Sequence, residues 1–469
     1  MSEYTTTVGI EVHVELKTKS KMFCGCPNDP HAAAVNQNVC PVCMAHPGTL
    51  PVVNKQAVKL LLQVGKAIGG TLADFSEFDR KNYFYPDIPK AYQISQYQFP
   101  FVTGGELAGV AITRIHLEED TARSQHFGEK SLIDFNRAGV PLMELVTEPV
   151  INTPEAAGAF ARELQLLLRT LNASDANMER GEMRVEANIS VSKNVTLGTK
   201  VEVKNIASFK AMEAAIVYET KRHIKVLESG GSLVQETRGW DQDKGQTFFQ
   251  RVKESSNDYR YFPDPDIPKF KRSDLVEFSD AAIKASLPET PTEKRARYGA
   301  CGLVTDQIEI IISDNIRDRF FTAAILDLSD TDTIKILGNY FTSDVMGLVE
   351  KDAYDLQAAH PHTFAKLATL VVKGDINSRI AKDLLPEVVF AGADPGVLAA
   401  ERGLLQKSST ADLLPIITEI ITTHAGVVAE YKAGKEASLQ FLIGQGMKAT
   451  KGSANPVVLR QAMIDQIGK

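Results

Sequence analysis

The sequence predicts an α+β protein in which a mostly antiparallel sheet with one polar face precedes a long helical region. Residues 9–16, 111–119, 182–189 and 199–206 alternate apolar and polar side chains, which is typical of strands with one buried face. Beyond about residue 290, apolar residues recur at helical spacing and strands of this kind end. A chain of 469 residues is long enough for about three domains.

The composition and charge indicate which class of protein the chain belongs to. Hydrophobic residues make up 43% and charged residues 24% of the chain, which is ordinary for a globular protein. Apolar runs stay well short of the roughly 18 residues of a membrane span, and the N-terminus does not resemble a secretory signal, so we expect a cytosolic chain. The net charge of −7 argues against a general nucleic-acid binder, although one domain can still carry a local basic surface.

The strand at residues 9–16 carries the first candidate functional residues. Glu11, His13 and Glu15 share one face of this strand, spaced about 7 Å apart, and the apolar residues between them share the other. Two carboxylates and an imidazole suit a hard divalent cation such as Mg²⁺ or Mn²⁺. The alternative is an amphipathic strand whose polar face is simply solvated.

A group of cysteines follows this strand in a C-x-C…C-x-x-C arrangement. The four are Cys24, Cys26, Cys40 and Cys43. Four thiolates can close a tetrahedral Zn²⁺ site with no open position, so the spacing predicts a structural zinc that pins the loop. His31 or His46 could replace one thiolate. Unoccupied thiols and a catalytic zinc are the alternatives.

Two helices are predicted in the first half of the chain. Residues 54–68 place apolar side chains on one side and end at Gly69-Gly70. Residues 153–171 form the second helix, with Pro154 in its first turn.

Aromatic and basic residues are interleaved in residues 78–97. Arg80, Lys81 and Lys90 lie among tyrosines there, and two prolines stiffen the segment. Such a segment can stack on a base and hold phosphates, although a well-packed loop is equally consistent with it. Residues 258–268 repeat its aromatic-Pro-Asp pattern.

The strand at residues 111–119 ends in an acidic group, Glu118-Glu119-Asp120. Surface acidity is the alternative reading, but these carboxylates would give His13 a second source of cation ligands. Glu119 shares the parity of the apolar residues before it, so the alternation does not decide which glutamate binds the cation.

Other polar residues fall on strands of the same kind. They are Glu144, Arg184, Glu186, Asn188, Lys204 and Asn205. From residue 407 a last segment ends at residues 444–456, which contain Lys448 and Lys451 and lack acidic residues. Lysine and backbone groups there could contact phosphates, although a plain helix–loop–helix is the default.

Taken together, these residues resemble the B subunits of tRNA-dependent amidotransferases, which amidate glutamyl- or aspartyl-tRNA. The resemblance rests on residues 9–16, 78–97, 114–120, 135–148, 184–188, 258–267 and 444–456, in the order of the family. It implies a cradle-shaped α+β catalytic domain at 1–293, an all-helical domain at 294–405 and a helical, tRNA-binding tail domain at 406–469. Some members lack the four cysteines, so zinc is not expected to take part in catalysis.

The resemblance also implies an ATP-dependent ligase that works in a heterotrimer. A glutaminase, the A subunit, would supply ammonia, a small C subunit would join the two, and the B subunit would bind the mischarged tRNA. ATP and Mg²⁺, with Mn²⁺ as a substitute, would serve to phosphorylate the side-chain carboxylate before ammonia displaces phosphate. An acyl phosphate hydrolyses readily, so water must be excluded from the site.

Roles follow from the resemblance residue by residue. The expected cation ligands are Glu11, His13 and Glu119, with Glu118 as the alternative to Glu119 and Glu144 as a further candidate. Phosphates, a second cation or ammonia would be positioned by Arg184, Glu186, Asn188, Lys204 and Asn205. The nucleotide or aminoacyl end would contact Arg80, Lys81, Tyr83, Tyr85 and Lys90, and tRNA would contact Lys448 and Lys451.

Two other functions compete with this one. The chain could be a non-catalytic RNA-binding scaffold with solvated acids, or a stand-alone ATP-dependent ligase with its own ammonia source. The second is disfavoured because the sequence shows neither a Gly-rich phosphate loop nor a catalytic cysteine triad. The residues do not distinguish glutamyl-tRNA from aspartyl-tRNA as substrate.

Overall fold

The computed structural model describes residues 4–31, 34–252, 256–351, 354–405, 410–450, 452 and 454–468. The chain divides into two compact units, Met1–Pro291 and Thr292–Lys469. The first is built on a large sheet and the second is helical, which confirms the predicted α+β fold class. Residue 406, the predicted start of a tail domain, lies outside the described residues, as does Lys451.

The first unit is organised by a mostly antiparallel sheet. Its strands are β1 (Thr5–Glu15), β2 (Thr71–Leu72), β3 (Phe75–Ser76), β4 (Asp79–Asn82), β5 (Tyr92–Ser95), β6 (Val102–Thr103), β7 (Glu106–Leu107), β8 (Val110–Glu119), β9 (Arg123–Phe127), β10 (Lys130–Asp134), β11 (Pro141–Thr147), β12 (Met183–Ser192), β13 (Val201–Ile206), β14 (Glu236–Asp241), β15 (Gln246–Val252), β16 (Phe262–Pro263) and β17 (Phe270–Lys271). Across the described residues, ten of them form one sheet in the order β15-β14-β13-β12-β1-β11-β8-β6-β2, with β7 beside β8. The pair β13–β14 is parallel, and β1 lies between β11 and β12.

Smaller sheets bring distant segments together. Strand β4 pairs with β5 and with β16, so the two aromatic-Pro-Asp segments noted in the sequence are neighbours. Strands β9 and β10 form a hairpin, and β17 pairs with β3. The pairing of β4 with β16 joins segments about 180 residues apart, as Arg80 opposite Phe262 shows.

Four helices accompany the sheet of the described first unit. They are α1 (Lys55–Ala67), α2 (Pro154–Thr170), α3 (Phe209–Glu228) and α4 (Asp280–Ala285), and the first two confirm the predicted helices to within a residue or two. Helix α1 begins where the Asn54 side chain accepts hydrogen bonds from the next turn. A Cβ on Gly65 would lie 2.5 Å from Val102, so only glycine lets β6 approach the helix this closely.

The apolar face of the sheet is buried in the core of the first unit. Ile10, Val12 and Val14 of β1 are at most 1% exposed and pack in one cluster with residues of α1, α2 and α3. The predicted alternation along residues 9–16 is therefore confirmed. A one-residue slip of β1 would exchange its two faces, so burial of the valines fixes which side chains the other face presents.

The second unit is built from helices. They are α5 (Pro291–Ala300), α6 (Thr305–Ile312), α7 (Asn315–Ile325), α8 (Thr331–Tyr340), α9 (Met346–Glu350), α10 (Pro361–Val372), α11 (Ser378–Phe390), α12 (Pro395–Glu401), α13 (Thr410–Thr423), α14 (Ala425–Lys432), α15 (Glu436–Ala449) and α16 (Pro456–Ile467), with a π-helical turn at Phe341–Val345. Helices α13 to α16 enclose their own apolar cluster around Leu442 and Leu459. Among the described helices, none alone is long and apolar enough to span a membrane; the bent pair Leu413–Thr423 and Ala425–Lys432 meets the length and composition test together.

A buried glutamate attaches α3 to the far edge of the sheet. Glu219 is fully buried, and Arg222 donates to both of its carboxylate oxygens at 2.8–3.0 Å. Thr247 on β15 also donates to it, and Arg238 on β14 lies 3.4 Å away. Burial alone would raise the pKa of Glu219, but hydrogen bonds from His223, Arg222 and Thr247 outweigh burial and lower the pKa to about 2.

This network predicts an acid-dependent loss of stability. Because the folded pKa lies below the usual 4.5, ionised Glu219 stabilises the fold fully above pH 4.5, and the stabilisation is lost as pH falls towards 2. Glu219→Gln should lower the free energy of unfolding by about 3 kcal/mol at pH 7. The difference from wild type should shrink between pH 4.5 and 2 in urea unfolding curves.

The exposed Glu228 at the end of the same helix gives the matched control. Glu228→Gln should change the free energy of unfolding by less than about 0.5 kcal/mol at every pH. A gap between Glu219→Gln and wild type that stays constant from pH 7 to pH 3 would contradict the assigned ionisation.

Candidate active site

Strand pairing gathers polar side chains from four strands on one face of the sheet. His13 lies opposite Glu144 on β11 and opposite Arg184 on β12. Glu144 in turn lies opposite His116 on β8, and Glu11 lies opposite Glu186 on β12. Directly opposed residues point to the same face, so this row follows from the register of β1 between its two neighbours.

The side chains of this row meet in a compact group, here named the acidic cluster. Its members are Glu11, His13, His116, Glu118 and Glu144. His13 Nε2 lies 3.4 Å from Glu144 Oε2, 3.5 Å from Glu118 Oε1 and 3.9 Å from Glu11 Oε1. His116 Nε2 lies 3.4 Å from Glu144 Oε2 and 3.9 Å from Glu118 Oε2. The two imidazoles therefore separate three carboxylates that would otherwise repel one another.

The pKa values of the acidic cluster reflect this crowding. Burial lowers the pKa of His13, but its hydrogen bond to Glu144 and the nearby carboxylates outweigh burial and raise it to about 9. Burial and the charges of Glu144 and Glu186 raise the pKa of Glu11 to about 7. Burial opposes ionisation of Glu144, yet His116 and His13 hold its pKa well below the usual value.

The donor set of the acidic cluster fits a hard divalent cation. One ligand atom from each of Glu11, His13 and Glu144 lies within 4.8 Å of the others. Ligands about 2.1 Å from one Mg²⁺ lie roughly 3–4 Å apart, so small rotations would complete such a set. In two further groups of the described residues the ligand atoms also lie within 4.8 Å of one another: His116 with Glu118 and Glu144, and Glu11 with Glu186 and Glu202.

Glu119 is not part of the acidic cluster. It follows Glu118 on β8 and therefore points to the opposite face, where its carboxylate accepts from Lys90 Nζ at 2.7 Å and from the Ile94 N–H at 3.1 Å. The structure thus brings Glu118, rather than the expected Glu119, together with Glu11 and His13. Glu119 and Lys90 instead line a cavity of about 290 Å³ beside the cysteine loop.

The polar residues predicted on β12 and β13 are partly engaged with other partners. Arg184 Nη2 lies 2.9 Å from buried Asp120, and Lys204 Nζ lies 2.8 Å from Glu186. The Oδ1 atom of Asn188 is buried and lacks a hydrogen-bond partner among the described residues. Asn205 is exposed, with a positive φ of 61°, outside the acidic cluster.

Arg80 and Lys81, which are adjacent on β4, have different surroundings. Arg80 Nε donates to Asp264 at 2.8 Å and its Nη2 donates to Asp266 at 2.9 Å, so this guanidinium ties β4 to the β16 loop and does not face the acidic cluster. Lys81 faces the cluster: burial alone would lower its pKa, but Glu118, Tyr261 and Glu144 raise it.

Tyrosines of both segments stack on one another. The rings of Tyr83 and Tyr85 are stacked at 5.8 Å, and those of Tyr97 and Tyr261 at 4.4 Å. Tyr85 is 49% exposed, so part of its side chain is accessible to a ligand. Tyr259 lies edge-on to Tyr83 and beneath the Lys81 ammonium.

The four cysteines converge as their spacing predicts. The Sγ atoms of Cys24, Cys26, Cys40 and Cys43 all lie within 4.8 Å of one another, without a histidine in the group as far as the described residues go. Buried Lys21 lies with its Nζ 3.9 Å from Cys43 Sγ. The hydrogen bond from Cys24 outweighs burial and, with the Lys21 charge, lowers the pKa of the Cys43 thiol to about 5. Four clustered sulfurs with one thiolate already favoured fit tetrahedral Zn²⁺.

Sequence reasoning missed two members of the site and one supporting residue. His116 precedes Glu118 by two residues, so the alternation along β8 could have assigned it to the same face. Glu202 lies on β13 among assigned residues and meets Glu11 and Glu186. Asp120, the partner of Arg184, belongs to an acidic group that the sequence did show, but the pairing depends on tertiary structure.

Comparison with known proteins gives matches in both units of the chain. Residues 6–276 match the family model described as the GatB/GatE catalytic domain, and residues 319–467 match the GatB domain. A relative from Thermoanaerobacter sp. (strain X514), named as the B subunit of an aspartyl/glutamyl-tRNA(Asn/Gln) amidotransferase, is 42% identical over 481 aligned residues, with 100% of each chain covered.

Other relatives bear the same name. The one from Thermus thermophilus is 41% identical over 475 residues with 99% of each chain covered. The one from Brevibacillus brevis (strain 47) is 40% identical over 473 residues with 97% covered. Similarity of this extent covers the sheet-bearing unit and the helical unit alike.

Proposed function

The chain belongs to the family of aspartyl/glutamyl-tRNA(Asn/Gln) amidotransferase B subunits, and from this we propose the chemistry of its sheet. We propose that the acidic cluster is the place where the side-chain carboxylate of a mischarged Glu-tRNA(Gln) or Asp-tRNA(Asn) is phosphorylated by ATP and then amidated. The observation that carries the proposal is the convergence of Glu11, His13, Glu118 and Glu144 from β1, β8 and β11.

The chemistry explains the choice of residues. A carboxylate is a poor electrophile, and its phosphorylation supplies a good leaving group. Phosphoryl transfer mostly requires positioning and stabilisation of charge. When bound, Mg²⁺ or Mn²⁺ held by Glu11, His13 and Glu144, with Glu118 beside them, would neutralise phosphate oxygens.

Residues of the chain itself orient the reactants. Lys81 faces Glu118 and Glu144 and would contact phosphate, and the exposed Tyr85 offers a ring for stacking on a base. On β12, Glu186 and Asn188 border the other side of the acidic cluster. The pairing of Arg184 with Asp120 assigns Arg184 a supporting role, holding β12 to the end of β8.

The reaction requires partners. The acyl phosphate is lost to water, so ammonia has to arrive by a protected route. We therefore propose a heterotrimer with a glutaminase (the A subunit) and a small C subunit, acting in the cytoplasm as an ATP-dependent carbon–nitrogen ligase. A non-catalytic RNA-binding scaffold is the competing function, and it leaves the convergence of carboxylates without a role.

Replacing His13 separates these two functions. In the assembled complex, His13→Ala should lower ATP-dependent amide formation at least about 100-fold, because the carboxylates lose the imidazole between them and the cation loses a ligand. The affinity for mischarged tRNA should change less than about threefold. The measurements are an amidation assay with each mischarged tRNA and a filter-binding assay.

His126 supplies the control, since it is exposed on β9, which pairs with β10 in a separate hairpin. His126→Ala should retain wild-type amidation. Unchanged amidation by the His13→Ala variant would reject the site assignment. A wild-type complex that forms no amide would reject the proposed function.

We also propose that the cysteine cluster holds one structural Zn²⁺. Cys40→Ser should remove the bound zinc, measured by atomic emission on the purified chain, and lower the melting temperature because the loop at residues 24–43 loses its cross-link. Cys301→Ser, in the helical unit, should retain zinc and melting temperature. Zinc retained in Cys40→Ser would exclude a four-cysteine site.

For tRNA, we propose a contact at the tail. Lys448 is exposed near the end of α15, whose helix belongs to a separately packed apolar core. Lys448→Glu should weaken tRNA binding and reduce the salt dependence of binding by about one counterion. Lys432→Glu, a charge change on the exposed end of α14, should leave both unchanged. Equal effects of the two variants would show that only net charge matters.

A further inference from the structure

Strand β8 contributes a third side chain to the site. Arg114, His116 and Glu118 alternate along the strand and point to the face of the acidic cluster. The pairing of β8 with β11 shifts by one residue just before this point: Val146 lies opposite Arg114, but Thr147 lies opposite Ile112. Such a bulge redirects the strand and aims the side chains beside it.

Three other basic groups around the site already have strong acidic partners. Arg184 is bound to Asp120 at 2.9 Å and Lys204 to Glu186 at 2.8 Å. Lys90 is bound to Glu119 at 2.7 Å. A carboxylate at hydrogen-bond distance compensates the charge of each of these cations and so weakens its attraction for a substrate anion.

Arg114 differs from these residues. Its closest acidic atom is Glu144 Oε1, 3.7 Å from Nη2, which is too long for a hydrogen bond. Its Nε is buried and lacks a hydrogen-bond partner among the described residues. The side chain is nevertheless 35% exposed, so a ligand can reach it beside the acidic cluster.

These observations point to an anionic ligand. A buried N–H without a partner is unfavourable, and a guanidinium satisfies its donors best with the paired oxygens of a carboxylate or phosphate. The carboxylates of the acidic cluster leave Arg114 unsatisfied, so the oxygens have to come from outside the chain. The charges of Glu118 and Glu144 also raise the pKa of Lys81 on β4, so a second cation lies near the acidic cluster.

We propose that Arg114 is a catalytic residue that binds the phosphoryl group as it passes from ATP to the side-chain carboxylate of the aminoacyl end. This inference rests on the proposed function. In the transfer, a carboxylate oxygen forms a bond to the γ-phosphorus, and the bond to the bridging oxygen breaks with its electron pair leaving on ADP. Ammonia nitrogen then bonds to the acyl carbon, the carbon–oxygen bond breaks towards phosphate, and phosphate accepts the released proton. Arg114 stays protonated throughout.

The test uses the assembled complex with Arg114→Gln and Arg114→Lys. Arg114→Gln should lower kcat for amidation about 100- to 1,000-fold, with the KM for mischarged tRNA within about threefold, because stabilisation of developing phosphoryl charge is lost. Arg114→Lys should recover part of the rate, since the ammonium keeps the positive charge but lacks the paired donors of the guanidinium. Added guanidinium ion should partly rescue Arg114→Gln and leave wild type unaffected.

A binding measurement tests the role of Arg114 without requiring catalytic turnover. Calorimetry should show wild type preferring the non-hydrolysable ATP analogue AMP-PNP over ADP, both with Mg²⁺, and Arg114→Gln losing about tenfold of that preference with its ADP affinity unchanged. Arg180→Gln, with a 68% exposed side chain, is the matched control and should behave as wild type throughout.

Two outcomes would overturn the inference. One is amidation by Arg114→Gln within threefold of Arg180→Gln. The other is lost amidation with the AMP-PNP preference intact, which would show that Arg114 only supports the fold. Since both comparisons require an active wild-type complex, failure of the inference is distinguishable from failure of the proposed function.

Discussion

The register of β1 between β11 and β12 is the constraint on which the rest of the site depends. Valines on one side of β1 are fully buried, and a slip by one residue would expose them while turning Glu11 and His13 into the core. The free energy of hydrophobic burial therefore enforces an arrangement that electrostatics alone would oppose. Burial and the neighbouring carboxylates together raise the pKa of Glu11 to about 7, and the apolar face of the same strands fixes the side chains in this position.

Under the proposed function, that repulsion favours the binding of a cation among the carboxylates. Without one, the protonated imidazole of His13 and the partial protonation of Glu11 at neutral pH balance the charge. A divalent cation among the same oxygens favours the ionised carboxylate and the neutral imidazole, so its binding is coupled to proton release. The folded chain thus holds closely spaced carboxylates at the position where a metal–nucleotide would take the place of these protons.

The sequence predicted the parts of the site that follow from alternation along a single strand. It did not predict the parts that depend on which strands pair with each other. Alternation alone assigned Glu11 and His13 to one face, and cysteine spacing identified the sulfur cluster. The choice between Glu118 and Glu119 needed the course of β8, although the parity of Glu119 had already signalled the opposite face. The role of Arg80 depends on Asp264, about 180 residues away, and local sequence does not encode that pairing.

Under the proposed function, the charge of the site also requires that tRNA be held elsewhere. A face crowded with carboxylates repels the phosphates of RNA at short range, and screening over about 8–10 Å confines this repulsion to the aminoacyl end. Affinity for the nucleic acid would therefore come from surfaces beyond that distance, while the acidic face would act only on the terminal acyl group and the nucleotide. An overall charge of −7 is compatible with this division, because helices α13 to α16 have their own apolar core and can present lysines without altering the sheet. Separation of binding from chemistry lets the cluster keep the negative charge that the cation requires.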